Sequence, residues 1–209
     1  MLYICTGLDT KAKILEVSTQ LFMSYGLRSV SMDDISRKLG ISKKTIYQYV
    51  DNKDELVKQV IGHFLLTEHQ IMKNIIAESS DAVDEYLSLS RHFLSTIKKM
   101  KPTITFDLQK YYPDSWQIIE QNHFSFLRNI IHKNIEAGIN EGLYRENVNA
   151  DIVSKLYISK NNAMADENLF PVDKYPRQDL LIEFVRYHIS GIASEIGLNR
   201  MKKIIKTQL

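Results

Sequence analysis

Apolar residues recur every three to four positions along most of the chain, a spacing that is typical of amphipathic helices. The first such segment runs from Thr10 to Tyr25, with Ile14, Leu21 and Phe22 among its apolar positions. The glycine that follows at position 26 is suited to the left-handed conformation that commonly ends a helix. The N-terminal segment is therefore predicted to be a helix.

Two shorter helices are predicted next. Ser31 is a favourable cap for a second helix, and Gly40 is placed to end it. Ser42 can cap a third helix, in which Ile46 and Val50 lie four residues apart and share one face. The intervening turn "LGIS" has the length found in a helix-turn-helix motif.

The remainder of the chain continues the helical pattern. With only 8 Gly and 4 Pro among 209 residues, long helices are favoured over a many-stranded sheet. Further helices are predicted over 52–77, 83–100, 104–112, 115–140 (capped by Asp114), 152–164 and 177–196. The expected fold is all-α, with a three-helix helix-turn-helix domain over residues 9–56 and a larger helical domain over 57–209.

The third helix combines basic, hydroxyl and aromatic side chains on the face opposite its apolar positions. These side chains are Lys43, Lys44, Thr45, Tyr47 and Gln48. In a helix-turn-helix, the second helix lies in the major groove of DNA. Lysine can donate to guanine and glutamine can pair with adenine, whereas threonine and tyrosine hydroxyls suit phosphate oxygens. This face therefore predicts a DNA-binding surface.

A phosphate site is predicted at the start of the fourth helix. Lys53 follows the capping Asn52, so its charge adds to the free amides and the positive dipole end of that helix. Charge elsewhere gives weak support, because residues 9–58 carry nine basic and seven acidic side chains, and the whole chain carries 27 and 25. DNA binding should still weaken with added salt. The alternative is a solvated helical bundle that binds nothing.

The segment "ILEVSTQLFMSYGLRSVSMDDISRKLGISKKTIYQYVDNKDELV" resembles the DNA-binding domain of the TetR family of bacterial transcriptional regulators. The matching positions are Tyr25-Gly26, Ser31-Met32, Gly40, Ser42, Thr45, Tyr47, Tyr49, Lys53 and Leu56. Val50 stands where the family usually has Phe, which keeps the position apolar. The resemblance covers roughly a quarter of the chain and is highly specific.

The resemblance implies a homodimer that binds near-palindromic double-stranded DNA. It implies phosphate contacts from Thr45, Tyr47, Tyr49 and Lys53, base contacts from Lys43, Lys44 and Gln48, and groove-flanking positions for Arg28, Ser31, Met32 and Arg37. Most members of the family are repressors that release DNA when a small molecule binds the C-terminal domain. A ligand-independent architectural or cell-division factor of the same fold is the alternative.

Aromatic residues are concentrated between positions 86 and 126, where an apolar cavity with a few polar groups could bind a small molecule. The residues predicted to line such a site are His92, Phe93, Phe106, Tyr112, Trp116 and Phe124. A hydrophobic or aromatic effector is expected. The alternative for each of these side chains is that it fills the helical core.

The last two predicted helices, over 152–164 and 177–196, carry many apolar residues. In the family that the chain resembles, such helices pair across a two-fold axis, which implies a homodimer formed through these two helices. The stretch "SKNNAMADEN" at 159–168 is unusually polar for this place. Either it shortens the helix, or its polar side chains fix the register of the interface.

Several other functions lack support in the sequence. No paired carboxylates, nucleophile–base spacing or phosphate-binding glycine loop indicates an enzyme or a cofactor. The pairs His63/His69 and His123/His132 lack the spacing that places two metal ligands on one helix face. The chain has one cysteine, Cys5, and no run long enough to span a membrane, so a cytoplasmic protein is expected.

Overall fold

The computed structural model describes residues 7–166 and 168–207, and these residues form an all-α protein. The helices are α1 (Gly7–Tyr25), α2 (Met32–Leu39), α3 (Lys43–Ile46), α4 (Lys53–Glu78), α5 (Ala82–Lys99), α6 (Ile104–Tyr111), α7 (Pro113–Ile118), α8 (Phe124–Asn140), α9 (Ala150–Ala165), α10 (Arg177–Ile192) and α11 (Glu195–Thr207). A π-helical turn, Ile119–His123, joins α7 to α8. The predicted all-α fold is confirmed.

The chain divides into two compact units, and the division falls within α4 after Glu68. The first unit contains α1–α3, the start of α4, and the segment Lys99–Gln121 with α6 and α7. Its core includes apolar residues of α1–α4 and α6, among them Ile14, Ile35 and Ile46, and Trp116 and Ile118 of α7 pack against it. The helix-turn-helix therefore shares one core with α6 and α7.

The second unit contains His69–Lys98 and the residues from Asn122 onward. Helix α9 packs against α8 and α10. A buried hydrogen-bond network ties α8 to α5: the Asn134 side-chain amide donates to the Ala82 carbonyl over 2.9 Å, and the Tyr144 hydroxyl donates to the same carbonyl over 3.0 Å. The predicted boundary between functional domains at 56/57 lies within α4 and stays a prediction.

The predicted helix caps of the helix-turn-helix are confirmed. The Ser31 side chain accepts from the Asp34 amide, and the Asp34 carboxylate accepts from the Ser31 amide, which completes a capping box at the start of α2. Gly26, Gly40 and Gly142 all adopt positive φ values, of 89°, 67° and 70°. These glycines follow α1, α2 and α8, where a left-handed residue ends a helix at low cost.

The prediction of one continuous helix over 115–140 is wrong. Helix α7 begins at Pro113, because proline has no amide hydrogen to lose at the first position of a helix. Tyr112 precedes it without a side-chain cap, so Asp114 is not the cap. The π-helical turn then interrupts the α-helical hydrogen bonds before α8 begins.

The prediction of one helix over 177–196 is also wrong, because Ala193 and Ser194 separate α10 from α11. Ala193 is extended, with φ −66° and ψ 145°, and forms an isolated bridge with Tyr144. The Ser194 amide donates to the Leu143 carbonyl over 2.9 Å, and its hydroxyl accepts from the Gly197 amide. Contacts with residues 143–144 therefore replace the helical hydrogen bonds at this point.

Three further predictions concern the polar stretch of α9, the single cysteine and membrane-spanning helices. Helix α9 extends to Ala165, so the polar stretch at 159–168 does not shorten that helix. Cys5 lies outside the described residues. Among the described helices, none is long and apolar enough to cross a membrane.

Candidate nucleic-acid interface

The third helix is short but firmly capped. The Ser42 hydroxyl accepts from the Thr45 amide over 3.1 Å and lies 2.9 Å from the Thr45 hydroxyl. Regular α-helix ends at Ile46, which is earlier than predicted. The Gln48 amide donates to the Thr45 carbonyl and the Tyr49 amide to the Ile46 carbonyl, so the chain continues as tight i→i+3 turns.

Two buried anchors hold this segment on the first unit. Ile46 is fully buried and Val50 is 3% exposed, and both belong to the unit's apolar core. On the other side, Lys44 and Gln48 are exposed and Tyr47 is 45% exposed. The segment therefore presents one continuous polar surface, as the sequence pattern predicts, despite the early end of the helix.

Acidic residues of α2 pair with two of the predicted DNA-binding cations. Lys43 Nζ lies 3.0 Å from Asp33 Oδ2, with both side chains about half exposed. Arg37 lies 3.5 Å from the Asp34 carboxylate, whose pKa is lowered chiefly by its hydrogen bonds with Ser31. These exposed pairs are weak, so the cations remain available to an anionic partner.

Two other predicted DNA-binding cations, Arg28 and Lys53, lie beside α6. The Arg28 guanidinium is 4.4 Å from the centre of the Tyr111 ring and donates to the Tyr111 hydroxyl over 3.2 Å. Lys53 is half-buried, and this burial lowers the pKa of its ammonium group, opposed by the charges of Asp54 and Asp107. A phosphate beside Lys53 would favour the charged form.

The other predicted DNA-binding residues are buried, half-buried or engaged in a helix cap. Met32 is 7% exposed and belongs to the core, so its side chain supports the surface from behind. Tyr49 and Thr45 are half-buried, and the Ser31 hydroxyl takes part in the capping box. Their predicted roles stay predictions, and backbone amides near these positions could contact phosphate as well as side chains.

The six predicted ligand-binding residues fall in both units. Phe106, Tyr112 and Trp116 belong to the first, where Tyr112 is in the core, Trp116 packs against it and Phe106 is 45% exposed. An open cleft of about 570 Å³ in this unit is lined by residues of α1 and α2 and of the loop between them, and its described lining contains none of the six.

The other three, His92, Phe93 and Phe124, belong to the second unit. Phe93 and Phe124 are half-buried and pack against an apolar cluster that includes Met72 and Leu127. His92 and Phe93 have ring centres 6.1 Å apart. The ligand-binding assignment of all six residues stays a prediction.

Helix spacing does not reveal which histidines meet. His69 Nε2 and His123 Nδ1 are 3.0 Å apart, and the His69 ring stacks on Phe126 with centres 3.8 Å apart. Burial, together with the neighbouring His69, lowers the pKa of His123 to about 4. Within the described residues, no three potential ligands cluster as a metal site would require.

A buried polar cluster that the sequence does not predict lies in the second unit, around Lys160 of α9 and His188 of α10. The spacing of Tyr157 with Lys160, and of Phe184 with His188, places each pair on one helix face. That spacing was the available signal, but the meeting of the two faces could not be seen without the tertiary structure.

Comparisons with known proteins concern the helix-turn-helix and the overall fold. Residues 14–60 match the family model for bacterial regulatory proteins of the tetR family. The chain is 24% identical over 187 residues to the uncharacterized HTH-type transcriptional regulator YvaF of Bacillus subtilis, covering 88% of this chain and 95% of that one. It is 21% identical over 150 residues to the HTH-type transcriptional repressor KstR2 of Mycobacterium tuberculosis, covering 68% and 73%.

The fold has solved counterparts. A TetR-family transcriptional regulator from Agrobacterium tumefaciens superposes with a TM-score of 0.71 at 15% identity, covering 90% of this chain and 100% of that one. The matched segment 14–60 contains the capped turn, the buried anchors and the polar surface described above. The tetR-family match therefore lies on the segment that forms the candidate nucleic-acid interface, and the fold of the described residues is that of solved TetR-family regulators.

Proposed function

We propose that this chain is a cytoplasmic repressor that binds near-palindromic operator DNA as a homodimer and is released by a small hydrophobic or aromatic effector. The polar surface of residues 43–48, held on buried Ile46, is the observation that carries the proposal. A repressor role is supported by the relative KstR2, which is named a transcriptional repressor. Binding in a major groove requires this combination of a fixed inner face and a free polar outer face.

The exposed side chains divide into two roles by their chemistry. Lys43, Lys44 and Gln48 face bases, because their donors can reach guanine or adenine edges. Tyr47 and Lys53 contact phosphates, which fix the register of the protein on any sequence. Thr45 and Tyr49 support these phosphate contacts, while Arg28, Ser31 and Arg37 flank the groove and the buried Met32 positions α2.

A route for effector control is suggested by the contacts of α6. Arg28 is held by Tyr111 through both a cation–π contact and a hydrogen bond. In addition, the Lys101 amide donates to the Met23 carbonyl over 2.8 Å, which ties the start of this segment to α1. A shift of α6 would therefore displace Arg28 and the end of α1, and so weaken DNA binding.

Homodimerisation is proposed through α9 and α10. Ile152 and Leu156 lie four residues apart on α9 and are 54% and 64% exposed. Ile182 and Tyr187 of α10 are also exposed, Tyr187 to 78%. A second copy of the chain would bury these apolar side chains, and a closed two-fold dimer suits a palindromic site. By contrast, Ile189 of α10 packs inside the protomer.

DNA binding is tested by fluorescence anisotropy, with a duplex from upstream of the chain's own gene and a random duplex of equal length. Tyr47→Ala and Lys53→Ala should weaken binding to both duplexes, since phosphate contacts are independent of sequence. Gln48→Ala should relax preference at one base position, at a cost of about 1–3 kcal/mol. Lys133→Ala, an exposed charge on α8, is the control.

The proposal also predicts the salt dependence and stoichiometry of binding. Affinity should fall as salt rises, and each lost phosphate contact should reduce the slope of log K against log salt by about 1. Two chains should bind per site. If Tyr47→Ala, Lys53→Ala and Gln48→Ala all bind both duplexes as the parent does, the proposed docking surface is wrong.

A further inference from the structure

Three helices of the second unit bring polar side chains together in an apolar core. Lys160 of α9 and His188 of α10 meet beside Tyr86 of α5. Lys160 Nζ and His188 Nε2 are inaccessible to solvent, and neither has a hydrogen-bond partner among the described residues. The Tyr86 hydroxyl beside them is also buried without a partner among the described residues. Buried polar groups in native proteins are normally hydrogen-bonded, so these adjacent exceptions require an explanation.

Aromatic rings enclose both groups. Lys160 Nζ lies 2.9 Å from the centre of the Phe184 ring and 3.6 Å from that of Tyr157. The His188 ring centre lies 5.7 Å from that of Phe184 and 4.9 Å from that of Tyr157. The amine and the imidazole therefore share the same two aromatic neighbours, which form an apolar surround with two polar groups directed into it.

Packing alone does not account for these residue types. A buried ammonium without a counter-ion is costly, and contact with aromatic rings offsets only part of that cost. Burial lowers the pKa of Lys160 to about 6, and burial together with Lys160 lowers that of His188 to about 3. Methionine and phenylalanine would fill the same space without unpaired polar atoms, so the polar residues indicate a role in binding.

We propose that Lys160 and His188 bind the carboxylate of an amphipathic effector whose apolar or aromatic body packs against Tyr157 and Phe184. This inference rests on the proposed function, because it names the chemical class of the effector that would release DNA. One lysine matches the single negative charge of a carboxylate. The two carboxylate oxygens can accept from the Lys160 ammonium and from the N–H of neutral His188.

The test uses the full chain and two matched pairs of probes in isothermal titration calorimetry: decanoate with decanol, and 2-naphthoate with 2-naphthalenemethanol. Within each pair the body is similar and only the acid carries a charge. At least one acid should bind the parent protein ten-fold or more tightly than its alcohol. Lys160→Met should remove this preference while leaving the affinity for the alcohol unchanged.

A charge-matched control lies on the same helix. Lys155 is exposed and pairs with Asp151 over 2.7 Å, so Lys155→Met makes the same chemical change away from the cluster. This variant should keep the preference for acids. His188→Phe retains an aromatic ring at the position and should weaken acid binding by several-fold without affecting the alcohols. The carboxylate assignment is overturned if neither acid binds the parent, or if Lys160→Met keeps the preference.

A measurement without ligand provides a second test. Lys160→Met should raise the Tm, because it replaces an unpaired buried polar atom with an apolar side chain of similar length. A lowered Tm would show that Lys160 stabilises the fold and would overturn the binding role. Without probe, Lys160→Met should bind DNA with the same affinity as the parent protein. The two proposals can fail separately: if the parent protein binds no DNA, only the regulator proposal is refuted, because the probe titrations do not involve DNA.

Discussion

Asp33 restrains the proposed base-contacting Lys43, and its removal should strengthen DNA binding. The two side chains form an ion pair with 3.0 Å between Lys43 Nζ and Asp33 Oδ2, and their exposed fractions are 46% and 60%. Lys43 must leave this carboxylate in order to donate to a base edge. In Asp33→Asn the side chain keeps its size and loses its charge, so Lys43 is released before DNA arrives.

The size of the effect follows from the exposure of the pair. An exposed ion pair contributes roughly 0.2–1 kcal/mol, so freeing Lys43 should improve the dissociation constant by a factor of about 1.4–5. Loss of a negative charge near the phosphates adds to this gain at low salt. The expected total improvement at about 0.1 M salt is therefore roughly two- to ten-fold.

Stability should change in the opposite direction. Asp33 lies in the first turn of α2, where a negative charge interacts favourably with the helix dipole by about 0.3–1 kcal/mol. Together with the lost ion pair, Asp33→Asn should lower the free energy of unfolding by about 0.5–2 kcal/mol. A gain in affinity alongside a loss of stability separates release of Lys43 from a general improvement of the fold.

The assay is fluorescence anisotropy with the upstream and random duplexes at two salt concentrations, on Asp33→Asn, Lys43→Met and the double variant. The gain from Asp33→Asn should shrink when Lys43 is already absent. Asp173→Asn, which removes an exposed charge in the second unit, is the control for net charge. The reasoning fails if Asp33→Asn weakens binding to both duplexes, or if its gain is undiminished beside Lys43→Met.

Two further predictions concern stability. Gly138→Ala should lower the free energy of unfolding in urea by about 1–3 kcal/mol, because the added Cβ would overlap the Tyr144 ring, whereas Gly62→Ala in open space should not. Lowering the pH from 7.5 to 5 should destabilise the protein. In the folded state the pKa values of His123 and His188 are lowered to about 4 and about 3, so both side chains stay neutral at pH 5. In the unfolded chain the same histidines are protonated at this pH, which favours the unfolded state. The free energy of unfolding in urea titrations should fall by about 2 kcal/mol for each histidine. His188→Phe should remove the part of this pH dependence that His188 causes. If this variant responds to pH as the parent does, His188 is not the source of that part.

The helix-turn-helix could be predicted from the sequence because its signals are local. The capping box uses Ser31 and Asp34, three residues apart, and Gly40 ends the same helix within one further turn. Each of these interactions connects neighbours along the chain, so residue type and spacing specify it. The proposed DNA-binding surface shares this property, since residues 43–53 form one contiguous segment.

The break between α10 and α11 could not be predicted, because distant residues cause it. Ala193 is extended where it bridges Tyr144, and Ser194 donates its amide to the Leu143 carbonyl about fifty residues away. Nothing in the helical periodicity around Ile192 signals these contacts. Gly197 lies at the same contact between distant segments, since a Cβ added there would overlap the Leu143 carbonyl oxygen.

Candidate sites in the second unit were hidden for the same physical reason. Lys160 follows Tyr157 by three residues, and in sequence it is indistinguishable from a lysine on the solvent face of a helix. Only the packing of α9 against α10 directs its amine onto the Phe184 ring and places it beside His188. The proposed DNA contacts therefore come from one contiguous segment, whereas the proposed effector site requires side chains from separate helices to converge. The effector class must accordingly be argued from buried, unpaired atoms in the folded chain, and Lys160→Met is the substitution that decides it.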